Sequence, residues 1–154
     1  MTPSRYAVAV ETTTLLRTAE TATMSSSFRT LMAMIGSCGK GGNGNDTQRI
    51  RGDDGNDCII QKDLAGNDNL RTEAKEGDDL IMIDAGEGAY TITYDVSSGR
   101  NWVLIDGGTG EDTLTINAGL PLAVYDEKGK ILYKYGEGGS EIIVKNIEDI
   151  KYVI

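Results

Sequence analysis

The sequence predicts an all-β chain built as a parallel solenoid, and three observations predict it. Glycine occurs at 44, 55, 66, 77, 88, 99 and 110, an unbroken eleven-residue series. Apolar residues recur four and six positions after those glycines, while the positions between are mostly polar or mixed. An acidic side chain stands two after the glycine at Asp46, Asp57, Asp68, Asp79 and Asp112. Fixed-period repeats that cannot bury a face alone are stable only when stacked.

An apolar spacing of two is the period of a strand with one buried face. A helix would need apolar residues at three and four, and its interior would not accept these glycines. Each unit therefore reads as a six-residue turn followed by a five-residue strand. Two units make one coil of about twenty-two residues, so alternate units stack on opposite edges and form two facing sheets. Ile81, Ile83, Ile92, Tyr94, Val103, Ile105, Leu114 and Ile116 are the expected core of the later coils. Antiparallel hairpins are the competing layout, but they need no constant period and their turns usually run two to five residues.

Three segments follow from this. Residues 1–40 are rich in Thr, Ser and Ala, with apolar residues at mixed spacing. AVAVETTTLLRTAETA and SSFRTLMAMIG read as marginal helices, so this tail is expected to be partly helical or disordered. A floppy leader, a secretion signal recognised unfolded and an amphipathic helix capping the first coil all fit it. Residues 41–119 are the repeats. Residues 120–154 leave the period: VYDEKGKILYKY reads as a β-hairpin and EIIVKNIEDIKYVI as one or two closing strands. An open solenoid end exposes backbone and core, so a C-terminal β cap is expected.

Charge narrows the chemistry. The formal charge is −9, and residues 41–117 carry a net −10 while 1–40 carry +2. That balance argues against nucleic acid, which needs a basic face, and suits hard cations, which prefer oxygen. Histidine is absent, which removes the usual general base. Two cysteines cannot complete a soft four-ligand zinc site. No apolar run is long enough for a transmembrane helix. Cys38 and Cys58 leave a disulfide and two free thiols equally open.

The turns carry a resemblance. GGNGNDTQR (41–49) and GGTGEDTLT (107–115) are similar to the nonapeptide Gly-Gly-x-Gly-x-Asp-x-apolar-x of RTX calcium-binding proteins, the first departing at Gln48. GDDGNDCII (52–60) keeps part of it, and LAGNDNL and KEGDDLI keep Gly-x-Asp-x-apolar. The resemblance covers about half the chain. It implies a right-handed parallel β-roll with Ca²⁺ held between stacked turns, in a secreted, extracellular bacterial protein. It also implies contact with secretion machinery, and leaves a C-terminal secretion signal as a second reading of the cap. This chain departs from the family in period, eleven residues where the family has nine.

The metal-ligating candidates that go with this resemblance are Gly41, Asn43, Asp46, Gly52, Asp54, Asp57, Asp63, Ala65, Asp68, Glu76, Asp79, Asn101 and Asp112. Glycine lets a turn aim carbonyls inward, and a short aspartate adds charged oxygen. Asp46 with Asp68, and Asp57 with Asp79, are the two sites expected first. Asp79 over Asn101 is a weaker third. Tyr90 interrupts the column between Asp68 and Asp112, so the well-formed motif at Gly107 is expected to mark an empty or half-built site.

The function expected is a secreted calcium-binding repeat protein that folds on binding Ca²⁺. The alternative is a secreted effector or adhesive matrix protein that uses the roll as scaffold and meets a host or matrix partner. An enzyme is not expected, because no nucleophile stands in a recognisable setting and each carboxylate belongs to a repeat column. The Thr91-Ile92-Thr93 and Thr113-Leu114-Thr115 rungs are too few for an ice-binding ladder.

Overall fold

A computed structural model describes residues 14–17, 25–28 and 36–154. Every regular element among them is a strand. In chain order they are β1 (Thr14–Arg17), β2 (Ser25–Phe28), β3 (Gly36–Lys40), β4 (Thr47–Arg51), β5 (Cys58–Lys62), β6 (Asn69–Glu73) and β7 (Leu80–Asp84), then β8 (Thr91–Asp95), β9 (Trp102–Asp106), β10 (Thr113–Asn117), β11 (Leu122–Asp126), β12 (Ile131–Tyr135), β13 (Ser140–Lys145) and β14 (Asp149–Val153). From β1 to β10 each strand starts eleven residues after the last. The six-residue turn and five-residue strand hold throughout the repeats.

Strands alternate between two sheets. One is ordered β1-β3-β5-β7-β9-β13-β11-β12 and the other β14-β10-β8-β6-β4-β2. Within the repeats every pair is parallel and residue i faces residue i+22, as in Ile59 with Ile81 and Ile92 with Leu114. This is the two-unit coil of a β-solenoid. The residues four and six after each glycine point between the sheets. Ile50, Ile59, Leu70, Ile81, Ile83, Ile92, Tyr94, Val103, Ile105, Leu114 and Ile116 are all fully buried.

The N-terminal coils are polar where the later ones are apolar. Gln48, Gln61 and Thr72 occupy inward positions and are buried. They are linked in part: Thr72 Oγ1 donates to Gln61 Oε1 at 2.6 Å, and Gln61 Nε2 donates to the backbone carbonyl of Gln48 at 3.5 Å, while Gln48 Oε1 is buried without a partner. A buried polar group costs little when it is bonded and much when it is not.

The glycine column has a steric cause. At Gly77 φ is +147°, and a Cβ there would lie 2.1 Å from the Gly55 carbonyl oxygen of the coil below. A side chain would force the turns apart and break the hydrogen bonds between them, so the period is enforced by contact between turns.

Two features differ from the sequence reading. First, the strands reach beyond the expected boundary at residue 40. Within the two marginal helices, Thr14–Arg17 is a strand, 26–28 belong to β2 and Gly36 opens β3, which pairs with β5 in full register. The rest of those runs lies outside the described residues. The series was hidden because Ala33 and Ala22 stand where the glycines would be. Second, the cap is interleaved. β11 and β12 form the expected antiparallel hairpin, but β13 inserts between β9 and β11 and pairs parallel with both. β14 then lies parallel on β10. The closing strands thus make one more coil, and the hairpin covers the end of one sheet only.

Candidate metal centre

The repeated Gly-Asn-Asp triplet builds two hydrogen-bond ladders along each edge. The residue after the glycine accepts from the coil above: Asn67 N–H donates to Asn45 Oδ1 at 3.0 Å, and Asp78 N–H to Asn56 Oδ1 at 2.9 Å. The aspartate accepts from the coil below: Asp57 N–H donates to Asp79 Oδ1 at 2.9 Å, and Asp46 N–H to Asp68 Oδ1. The ladders run in opposite directions and need no ion. They account for the turn aspartates of the copies that carry one, with Asn101 taking the same acceptor role at its turn.

One place holds more than the ladder requires. Asp46, Asp63 and Asp68 are all buried and bring carboxylate oxygens within 4.8 Å of one another. Asp46 and Asp68 belong to the repeated column. Asp63 does not: three before each repeat glycine the other turns carry Gly41, Gly52, Ala74, Ala85, Val96 and Gly107. The space for its side chain comes from the coil below, since a Cβ on Gly41 would lie 2.1 Å from Asp63 Oδ1. Asp63 is held by the Leu64 N–H at 2.9 Å and by Gln48 Nε2 at 3.0 Å.

The electrostatics at Asp63 are unfavourable. Burial pushes the Asp63 carboxyl up to about 7; the bond from Leu64 pulls it down, and the Asp68 and Asp46 charges push it further up. Asp68 Oδ2 is buried with no hydrogen-bond partner. Salt bridges among the described residues do not reach Asp63 or Asp68. On the C-terminal side Tyr90 is buried, and its phenol is held protonated by burial first, then by the nearby Asp68 and Asp63 charges and by the pull of the Asp68 carboxylate on its hydroxyl. Buried like charges need a proton or a cation to offset them.

The opposite edge is arranged differently. Asp57 and Asp79 share the ladder bond, and Asp79 Oδ2 is buried without a partner. Burial pushes Asp79 up to about 6, against the bond from Asp57. Here a cation is built in nearby: Lys75 Nζ lies 3.1 Å from Asp53, whose N–H donates to Asp57 Oδ2 at 2.9 Å. One coil further, Asn101 is fully engaged. Its Oδ1 accepts from Asp79 N–H at 3.0 Å, and its Nδ2 donates to Ser97 Oγ and Ser140 Oγ at 3.0 and 3.1 Å.

Of the remaining expected ligands, Asn43, Asp54 and Glu76 have exposed side chains. The Ala65 and Glu76 carbonyls accept from Gly44 and Gly55 at 2.8 and 2.7 Å, which leaves each a second lone pair. Gly52 leaves room for the Asp57 carboxylate, 2.5 Å from where its Cβ would be. Asp112 accepts from Tyr90 N–H at 2.9 Å, and its other oxygen is buried and unpartnered. Its own N–H donates to Glu148 Oε2 at 2.8 Å. The Asn-Ile-Glu of the cap thereby continues the acidic column one step further.

Sequence reasoning did not give Gln48, Lys75, Tyr90 or Glu148 these roles. Glu148 had a signal in the motif of the cap, and Asp63 had one in its misfit column. The donor set at Asp46, Asp63 and Asp68 is all oxygen, and such donors suit hard divalent cations over zinc or copper. The buried unpartnered oxygen of Asp68 and the space left by Gly41 fit such an ion. No family profile, curated protein or solved structure matches the chain.

Proposed function

We propose that this chain is a secreted calcium-binding repeat protein of the RTX kind, in which Ca²⁺ binding drives the coil to fold. The observation that carries this reading is the buried trio Asp46, Asp63 and Asp68, with its oxygens within 4.8 Å. Asp63 is the deciding member, because the turn ladder does not need it. A bound divalent cation would neutralise the three carboxylates and occupy the unpartnered oxygen of Asp68. Ca²⁺ is favoured over Mg²⁺ because it tolerates irregular shells of six to eight oxygens, including backbone carbonyls. Secretion and bacterial origin rest on the resemblance of the turns to the RTX nonapeptide.

In this reading the apo chain is loosened by its own carboxylates, and binding free energy becomes folding free energy. A chain that stays open where Ca²⁺ is scarce and closes outside the cell is suited to export. The test is far-ultraviolet circular dichroism during Ca²⁺ titration, with Asp63→Asn beside the wild type. A β signal that rises with Ca²⁺, and rises later in the variant, supports the proposal. A β signal indifferent to both Ca²⁺ and EGTA sinks it.

A further inference from the structure

The two outer faces of the solenoid differ in kind. On the β4 sheet the central outward column reads Arg49, Arg71, Thr93, Thr115 and Lys151. On the β5 sheet it reads Cys38, Ile60, Met82, Leu104, Ile143 and Tyr125. Beside that column Leu80 and Trp102 are each 49% exposed. A contiguous apolar strip on one face of a coil marks an interaction surface.

We infer that this face docks a second copy of the chain, related by a two-fold axis that runs along the strands midway between β5 and β7. The charges beside the strip select that partner and register. Along the third outward column stand Lys40, Lys62, Asp84 and Asp106, on β3, β5, β7 and β9. The two-fold reverses the stacking order and keeps the columns matched. Lys62 pairs with Asp84 of its own chain at 2.8 Å and then also faces Asp84 of the second copy, so the two pairs close into one four-charge cluster across the axis. Lys40 faces Asp106 of the second copy, beside the Lys145 that Asp106 meets in its own chain at 3.8 Å. Moving the axis one strand spacing either way sets Lys40 against Lys62 or Asp84 against Asp106, so neighbouring registers are repelled.

Shape agrees with charge in this register. Ile60 meets Met82 of the second copy, and Cys38 meets Leu104. Gly36 falls opposite Trp102, and Cys58 opposite Leu80, so the smallest residues of the first outward column oppose the largest. An interface of this kind is isologous, each contact occurring twice. Four strands at about 4.8 Å and five residues at about 3.3 Å project to roughly 300 Å² per copy. That is small for a specific interface, so the dimer is about micromolar or weaker. The inference does not depend on which cation the turns bind.

Sedimentation velocity of the full chain, over about 10 to 200 µM in calcium-containing buffer, is the test. The wild type should move from monomer to dimer across this range. Lys62→Asp and Asp84→Lys should each weaken self-association at least tenfold, with circular dichroism unchanged. Mixed in equal amounts, the two variants should recover a heterodimer, because each pair across the interface becomes opposite in charge while the pair inside each chain stays like-charged. Met82→Glu should weaken the dimer without rescue by either. A wild type monomeric throughout, or variants that do not rescue each other, overturns the proposal. So does a monomer that uses this face only to bind phospholipid vesicles.

Discussion

Asp68 accepts the backbone N–H of Asp46 through Oδ1 and keeps Oδ2 buried with no partner. The first contact belongs to the ladder that most of the turns share. The second is left over, and beside it stands Asp63, a carboxylate that the repeat does not supply. The proposed function turns on that surplus.

Asp63→Asn separates the two roles. It keeps an acceptor for the Leu64 N–H while removing one charge, and the new amide can donate to Gln48 Oε1, which has no partner now, once the Gln48 amide turns over. In EGTA at pH 8 the variant should melt higher than the wild type, because a buried repulsion has gone. In Ca²⁺ it should bind at least tenfold more weakly. Thermal melts with and without Ca²⁺ read both effects, and a variant unchanged in Ca²⁺ affinity would remove Asp63 from the site.

Gly41→Ala tests the same carboxylate from the coil below. The new methyl would meet Asp63 Oδ1, Cγ and Oδ2 at 2.1 to 2.6 Å, so the whole carboxylate must move. The expected loss is about 1–3 kcal/mol in stability, by denaturant titration, with weaker Ca²⁺ binding. The double variant Gly41→Ala/Asp63→Gly, which restores the space, should recover stability but not binding.

The metal-free chain should lose stability as pH rises. Asp63 is raised to about 7 and Asp79 to about 6 when folded, against about 3.9 unfolded. Between those values the folded chain binds protons that the unfolded chain has released, so stability falls with pH through that window and is lowest above about 7. Saturating Ca²⁺ should oppose this trend, since it binds the ionised carboxylates. Melting temperatures in EGTA from pH 5 to 8 check the sign; a rise with pH would contradict the burial of these groups.

Glu148 tests the end of the column. It accepts the Asp112 N–H at 2.8 Å, and its charge adds to the burial that raises Asp112. Glu148→Ala should cost about 1 kcal/mol by denaturant titration. Glu148→Gln should be neutral or stabilising, because it keeps an acceptor and removes a repulsion.

The repeat section was legible because its two periods are local. Spacing by two set the inward face, and spacing by eleven set the register, so Ile92 over Leu114 could be read from the sequence. The first coils were hidden because Ala22 and Ala33 break the glycine series. The place of β13 between β9 and β11 was not legible, since pairing between distant strands leaves no local period. At the candidate site, the Asp46–Asp68 pair followed from the register. The burial of Asp63 followed only from asking why a carboxylate stands in a column of small residues, and the engagement of Lys75 by Asp53 is a tertiary fact without a motif.

The most direct measurement is isothermal titration of Ca²⁺ into the full-length chain, wild type beside Asp63→Asn. The account predicts saturable binding to the wild type, and at least tenfold weaker binding to the variant. Saturable binding that is equal in both chains, or no binding in either, would contradict it.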